Sequence, residues 1–258
     1  MAKYVIEDTT LTDIAEKIRY HNENTEKITP EEIPDRIDLM AETKVTQGKK
    51  DAYDAFWDGF QKQGARTDYY ASFAGAGWTK ETFLPKHDIK PSGSAYGLFQ
   101  KSRISGDLVG IAQKQGIVID FSKATNLQYA FSNTSFSRLG LIDASKSDSL
   151  IRGFELSSSL KIIDKIVLSS NGNTGLSNAF NDCSSLEEIR FEGVIGTNGV
   201  SFGDCRRLSH ESLISIINAL KDRSGESAAY TCTLGGENLA KLTVDEIKMA
   251  TDKGWTLL

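Results

Sequence analysis

The chain has little of what would mark several function classes. Its three cysteines, Cys183, Cys205 and Cys232, are odd in number and widely spaced. They offer neither a CxxC metal site nor a disulfide framework. His21, His87 and His210 lie in different segments, and none has a second ligand three or four residues away, so no zinc site is expected. Basic residues are not in excess: the net charge is −5. An open nucleic-acid surface needs clustered Lys and Arg, and a membrane-surface anchor needs a polybasic run; both are excluded. No apolar stretch approaches the roughly 20 residues of a membrane span. The start, MAKYVIEDTT, carries one Lys and no apolar run, so no signal peptide is expected. The chain is expected to be made in a cytoplasm and to stay there, or to leave inside an assembly or by lysis. There is no GxSxG elbow, P-loop, GxGxxG after a strand, or HExxH. No catalytic, cofactor-binding or metal residues are expected.

What is present is an ordinary globular balance, 39% hydrophobic and 25% charged, over 258 residues. That is enough for one large domain or two to three small ones. Residues 8–40 read as two short helices. Leu11, Ile14, Ala15 and Ile18 share one face of the first. The second opens with Thr29 as N-cap, Pro30 at the first helical position and Glu32 three residues after the cap. Residues 1–48 are therefore expected to be a helical module. In the following helix, 49–63, Tyr53, Phe56, Trp57 and Phe60 make a wide aromatic stripe that suits packing on a neighbouring element. Residues 65–116 are rich in aromatics and glycine without a clear period. They read as short strands and turns, so that 49–116 caps the element after it.

That element, 117–208, carries a repeat. Phe131, Phe154, Phe180 and Phe202 recur at intervals of 23, 26 and 22 residues, each after a small residue. Leu160, Leu186 and Leu208 follow three of them by six residues, and Ile163 and Ile189 come three later. IVIDF (117–121), LGLID (139–143), KIVLS (165–169) and EIRFE (188–192) have strand character. The first repeat departs from the pattern, placing Phe136 and Leu139 where the others have one leucine. A period in the twenties with one strand per unit is the signature of a leucine-rich-repeat-like solenoid. One such turn cannot bury its own apolar side, but stacked turns bury each other's. The named phenylalanines and leucines are the expected core ladder. Cys183 and Cys205 share a register three residues after phenylalanine, which suits small buried thiols better than a disulfide.

A solenoid needs a terminal unit over its apolar end, and 209–258 reads as one. Ser209 caps a helix with Leu213, Ile216, Ile217 and Leu220 on one face. YTCTL (230–234) reads as a strand, Thr243 and Glu246 form a capping box, and Trp255 with Leu257 reads as a last strand. The expected fold is α+β: short N-terminal helices, then a β-rich solenoid with an α/β C-terminal cap. Aromatic side chains stack on sugar rings, so Tyr69, Tyr70, Trp78, Phe83 and Tyr96 are candidate ligand contacts. The competing reading places them in a β-rich core.

The segment AYDAFWDGFQKQGARTDYYASFAGAGWTKETFLPKHDI (52–89), the Phe/Leu repeats and the ending LISIINALKD…TLGGENLAKLTVDEIKMATDKGWTL resemble BspA-like leucine-rich-repeat proteins. These are common in phages and prophages of Firmicutes. TLTDIAEKIRYHNENTEKITPEEIPDRI (10–37) looks like the helical module that opens many phage tail and baseplate proteins. The resemblance implies a non-enzymatic virion part of a tail, baseplate or tail fibre, made in the host cytoplasm. Residues 1–48 would join other virion proteins, with no nucleic-acid or membrane contact, and the solenoid would face a host glycan or protein. A homo-oligomer in the particle is expected. A purely architectural joint, a bacterial surface adhesin and a polysaccharide-degrading enzyme are the competing readings.

Overall fold

The computed structural model describes residues 88–102 and 104–258. The expected N-terminal helices, the aromatic helix 49–63 and the candidates Tyr69, Tyr70, Trp78 and Phe83 lie outside the described residues. By internal contacts the chain divides into Met1–Asp58 and Gly59–Leu258, and the described residues fall in the second unit.

These residues form a mixed α/β structure with parallel sheets and few helices. Strands β1 (Ser105–Asp107), β2 (Ser135–Asp143), β3 (Ile162–Val167) and β4 (Glu188–Glu192) make one sheet in chain order, every pair parallel. Strands β5 (Val200–Ser201), β6 (Tyr230–Thr233) and β7 (Trp255–Leu257) make a second, also parallel and in chain order. Helix α1 spans Leu108–Gln115, α2 His210–Ala219, α3 Gly236–Leu239 and α4 Val244–Asp252.

Behind the four-stranded sheet the phenylalanines stack. Ring centroids are 5.7 Å apart for Phe99 and Phe131, 5.6 Å for Phe131 and Phe154, 5.4 Å for Phe154 and Phe180, and 4.7 Å for Phe180 and Phe202. All five are fully buried, as are Leu160, Leu186 and Leu208 beside them. Each buried ring contributes about 1.5–3 kcal/mol by removal from water. Phe136 of the irregular first repeat is buried too and meets Phe99 edge-on at 5.5 Å.

Around each phenylalanine the chain runs through overlapping tight turns. The N–H of Ala130 donates to Leu127 O at 3.1 Å, that of Gly153 to Leu150 O at 2.8 Å, and that of Ser157 to Phe154 O at 3.1 Å. At Phe131, Phe154 and Phe180 the residues two before and two after the ring are left-handed: Tyr129 and Asn133, Arg152 and Leu156, Asn178 and Asp182. Alternate N–H groups thereby point along the stack. Tyr129, Phe131 and Asn133 donate to Ile151, Gly153 and Glu155 at 3.1, 2.8 and 2.7 Å; Arg152, Phe154 and Leu156 donate to Ser177, Ala179 and Asn181 at 3.0, 3.0 and 2.9 Å. This satisfies backbone groups that no strand pairs.

The residue three after Phe154, Phe180 and Phe202 ties adjacent turns together from inside. Ser157 Oγ donates to Phe131 O at 2.8 Å, Cys183 Sγ to Phe154 O at 3.1 Å, and Cys205 Sγ to Phe180 O at 3.6 Å. The two thiols are free and buried, so this register selects a small side chain with a donor.

Two expectations are corrected. Residues 117–121 form no strand; Ile119 makes one isolated bridge with Ile89. Nor is 88–116 only a cap of strands and turns. Phe99 stacks with Phe131, Gly97 and Lys101 flank it with left-handed backbone, and β1 joins the sheet. After β1 the chain turns into α1, where Asp107 accepts from Val109 N at 2.8 Å as N-cap and Gly116 closes the C-terminus. That helix was hidden because its sequence, LVGIAQKQ, is short and holds a glycine.

The sheet ends because α2 takes the place of a fifth strand. Lys161 N donates to Ser137 O, Glu187 N to Lys161 O and Ser209 N to Glu187 O, each at 2.8 Å, so the chain enters α2 in the register of the strands before it. Ser209 then caps the helix by accepting from Ser212 N. The edge N–H groups of β4 find hydroxyls: Ile189 N donates to Ser212 Oγ at 3.0 Å and Phe191 N to Ser215 Oγ at 2.8 Å. A sheet edge that would invite another chain is closed by two serines. Beyond it, Thr243 and Glu246 make the capping box of α4, and buried Trp255 donates to Lys221 O at 2.7 Å.

Candidate functional site

The outward face of the sheet carries the groups left over from folding. In β3 two residues separate the buried Ile163 and Ile166, while β4 opposes them with one, Arg190, between Ile189 and Phe191. This bulge leaves both Asp164 and Lys165 outside the core. Asp164 accepts a fork of two bonds from Arg138 on β2, from Nε and Nη2, both at 2.9 Å. Arg138 Nη1 also lies 3.7 Å from Asp107. Lys165 pairs with Glu192 at 2.9 Å. All these side chains are more than a third exposed, so they set the surface pattern and contribute little stability.

Two cavities meet at Asp164. One, about 230 Å³, is bounded by Leu108, Val109 and Ala112 of α1 with Ile119, Phe121, Gly140 and Leu141. Gly140 is needed there: a Cβ on it would sit 2.9 Å from Val109 Cγ2. Leu141 is 54% exposed at the rim. The other cavity, about 350 Å³, lies between β3, β4 and the start of α2, with Asp164, Glu188, Arg190, Glu211, Ser209 and Ser212. The serine hydroxyls are already engaged within the protein: Ser209 Oγ is 2.9 Å from Ser212 Oγ, and Ser212 accepts from Ile189 N. Together the cavities form a trough, apolar at one end and charged at the other. Such a trough seats an apolar group beside a polar or charged one.

Of the aromatic candidates, only Tyr96 lies among the described residues. It is half-buried and meets Tyr129 edge-on at 5.4 Å, and Arg152 lies over the Tyr129 ring at 5.8 Å. This row is apart from the trough linings. The repeat residues Phe131, Phe154, Leu160, Phe180, Leu186, Phe202 and Leu208 are all core. His210 contacts Glu246 at 2.9 Å, joining the starts of α2 and α4. Among the described residues no group of three or more His, Cys, Asp and Glu is placed to hold a metal ion.

No family model, curated protein or solved structure matches the chain. Sequence reading missed the trough. Its apolar wall comes from the unrecognised α1, and its charged wall from a bulge that no residue type announces. The one available signal was opposite charge on neighbouring strands, as in Arg138 and Asp164.

Proposed function

We propose that this chain is a non-enzymatic binding and scaffold protein whose stacked turns are a short leucine-rich-repeat-like solenoid. Support comes from the phenylalanine ladder and from parallel strands laid down in chain order, one per turn. The observation that carries the binding reading is the trough, formed where outward side chains of β2, β3 and β4 meet α1 and α2. A surface repeated on a stacked core positions contacts over several turns without any residue being needed for chemistry.

The chain is further proposed to be a structural part of a phage virion, in the tail, baseplate or tail fibre. This rests on the resemblance of residues 10–37 to tail and baseplate modules and of 52–89, the repeats and the C-terminus to BspA-like proteins. Residues 1–48 would attach to other virion proteins, and the solenoid would meet a host-surface glycan or protein. An architectural joint between tail subunits is the second reading, favoured by the charged trough, which suits a protein neighbour.

The test is binding of the purified chain, with and without residues 1–48, to intact bacterial host cells and extracted wall glycans. Saturable binding that survives the truncation assigns host recognition to the solenoid. Absence of binding by both forms, with the chain present in purified particles, favours the joint. Absence from particles refutes the virion placement.

A further inference from the structure

We propose that the occupant of the trough is a cationic protein segment, in which a Lys or Arg stands next to an aliphatic residue. The inference deepens the binding reading above and rests on it. Three carboxylates line the charged cavity, Asp164, Glu188 and Glu211, against one guanidinium, Arg190. Arg138 is bound in the fork to Asp164. The balance is negative, on a chain whose net charge is −5. The adjoining cavity is walled by Val109, Ala112, Ile119 and Leu141, which suit an aliphatic side chain.

The same residues disfavour a sugar as occupant. Sugar recognition draws on aromatic platforms and many hydroxyl partners. Here the one aromatic side chain in either lining, Phe121, is buried, and Ser209 and Ser212 are spent on helix capping and the edge of β4. A lysine or arginine fits better: its aliphatic stem lies along apolar surface while its charge reaches a carboxylate. An extended partner cannot add to the sheet at β4, because Ser212 and Ser215 already hold the N–H groups of Ile189 and Phe191. Recognition thus falls to side chains, and electrostatic complementarity sets its rate and specificity.

The experiment titrates the full chain with a fluorescent peptide of alternating Lys and Leu, and with its Glu–Leu counterpart, at low and high salt. The Lys–Leu peptide should bind saturably, and the Glu–Leu peptide should not. The double variant Glu188→Gln/Glu211→Gln should weaken binding about tenfold and flatten its salt dependence. Leu141→Lys should weaken it by blocking the apolar end. Glu226→Gln, in the C-terminal cap, should leave it unchanged. Melting curves matching the parent establish that the variants fold, and Leu141→Lys serves if the double variant does not. Failure of the Lys–Leu peptide to bind, or equal binding by folded trough variants, overturns the proposal. If the chain still binds cells or enters particles in that case, the binding reading survives and only the cationic occupant falls; if it does neither, both fall.

Discussion

Replacing Phe154 with alanine tests the ladder at its centre. The ring is fully buried between Phe131 at 5.6 Å and Phe180 at 5.4 Å, the planes 9° and 16° from parallel. Backbone bonds hold its turn on both sides, Phe131 N to Gly153 O at 2.8 Å and Phe154 N to Ala179 O at 3.0 Å, so collapse into the void is restricted. Loss of transfer energy plus the cavity should cost about 3–5 kcal/mol. That is a large share of the ~5–15 kcal/mol typical of a domain. Phe154→Leu keeps much of the volume and should cost no more than about 1.5 kcal/mol. The assay is urea unfolding of the full chain and both variants, followed by circular dichroism. The midpoint should fall in the order parent, Leu, Ala, with the slope unchanged. A cost below about 0.5 kcal/mol for alanine, the range of an ordinary surface change, would refute the ladder as the core.

Three further outcomes follow from the same contacts. Gly193 has a φ of +84°, and a Cβ there would lie 2.2 Å from Leu168 O, so Gly193→Ala should lower the melting temperature well beyond the effect of a surface change; a silent substitution would disprove that close approach. Ser212→Ala with Ser215→Ala strips the acceptors from Ile189 N and Phe191 N and should cost about 1–3 kcal/mol per orphaned group; unchanged amide exchange at both positions would show that the hydroxyls do not close the edge. Burial holds the thiols of Cys183 and Cys232 up at about 12 and raises Cys205 as well. An unfolded thiol ionises near 8.5. Above that pH the unfolded state has lost protons the native state keeps, so stability is full below it and falls as pH rises toward 12. The slope approaches about 1.4 kcal/mol per pH unit for each thiol, and replacing all three with alanine should flatten the alkaline branch of a melting-temperature profile. An identical alkaline branch would mean the thiols are not held neutral.

Fold legibility followed the chemistry of each segment. The phenylalanine intervals were readable because burial constrains residue type at every turn. The starts of α2 and α4 were readable because Ser209 and Thr243 must accept backbone bonds there. The tight turns beside the rings were not. Left-handed backbone favours Gly and Asn, yet Tyr129, Arg152 and Leu156 occupy it along with Asn133 and Asn178. Hydrogen bonds along the stack hold these residues in place, and no local preference reveals them. The same holds for the unit around Phe99. Its ring was in view, but without a leucine six residues later or a matching interval it carried no period.

The site was least legible because it is built from exceptions to the repeat. An uninterrupted stack would show the same outward row on every turn. Here α1 follows a strand of only three residues, α2 stands where another strand would begin, and β3 carries one residue more than β4 between buried isoleucine positions. Each exception removes a regular contact and leaves a wall or an outward side chain: Val109 against Gly140, Ser212 beneath Ile189, Asp164 beside Lys165. The ladder specifies the stack, and departures from it specify the surface. Changes to the trough should therefore alter binding with little loss of stability, whereas changes to the ladder should remove both.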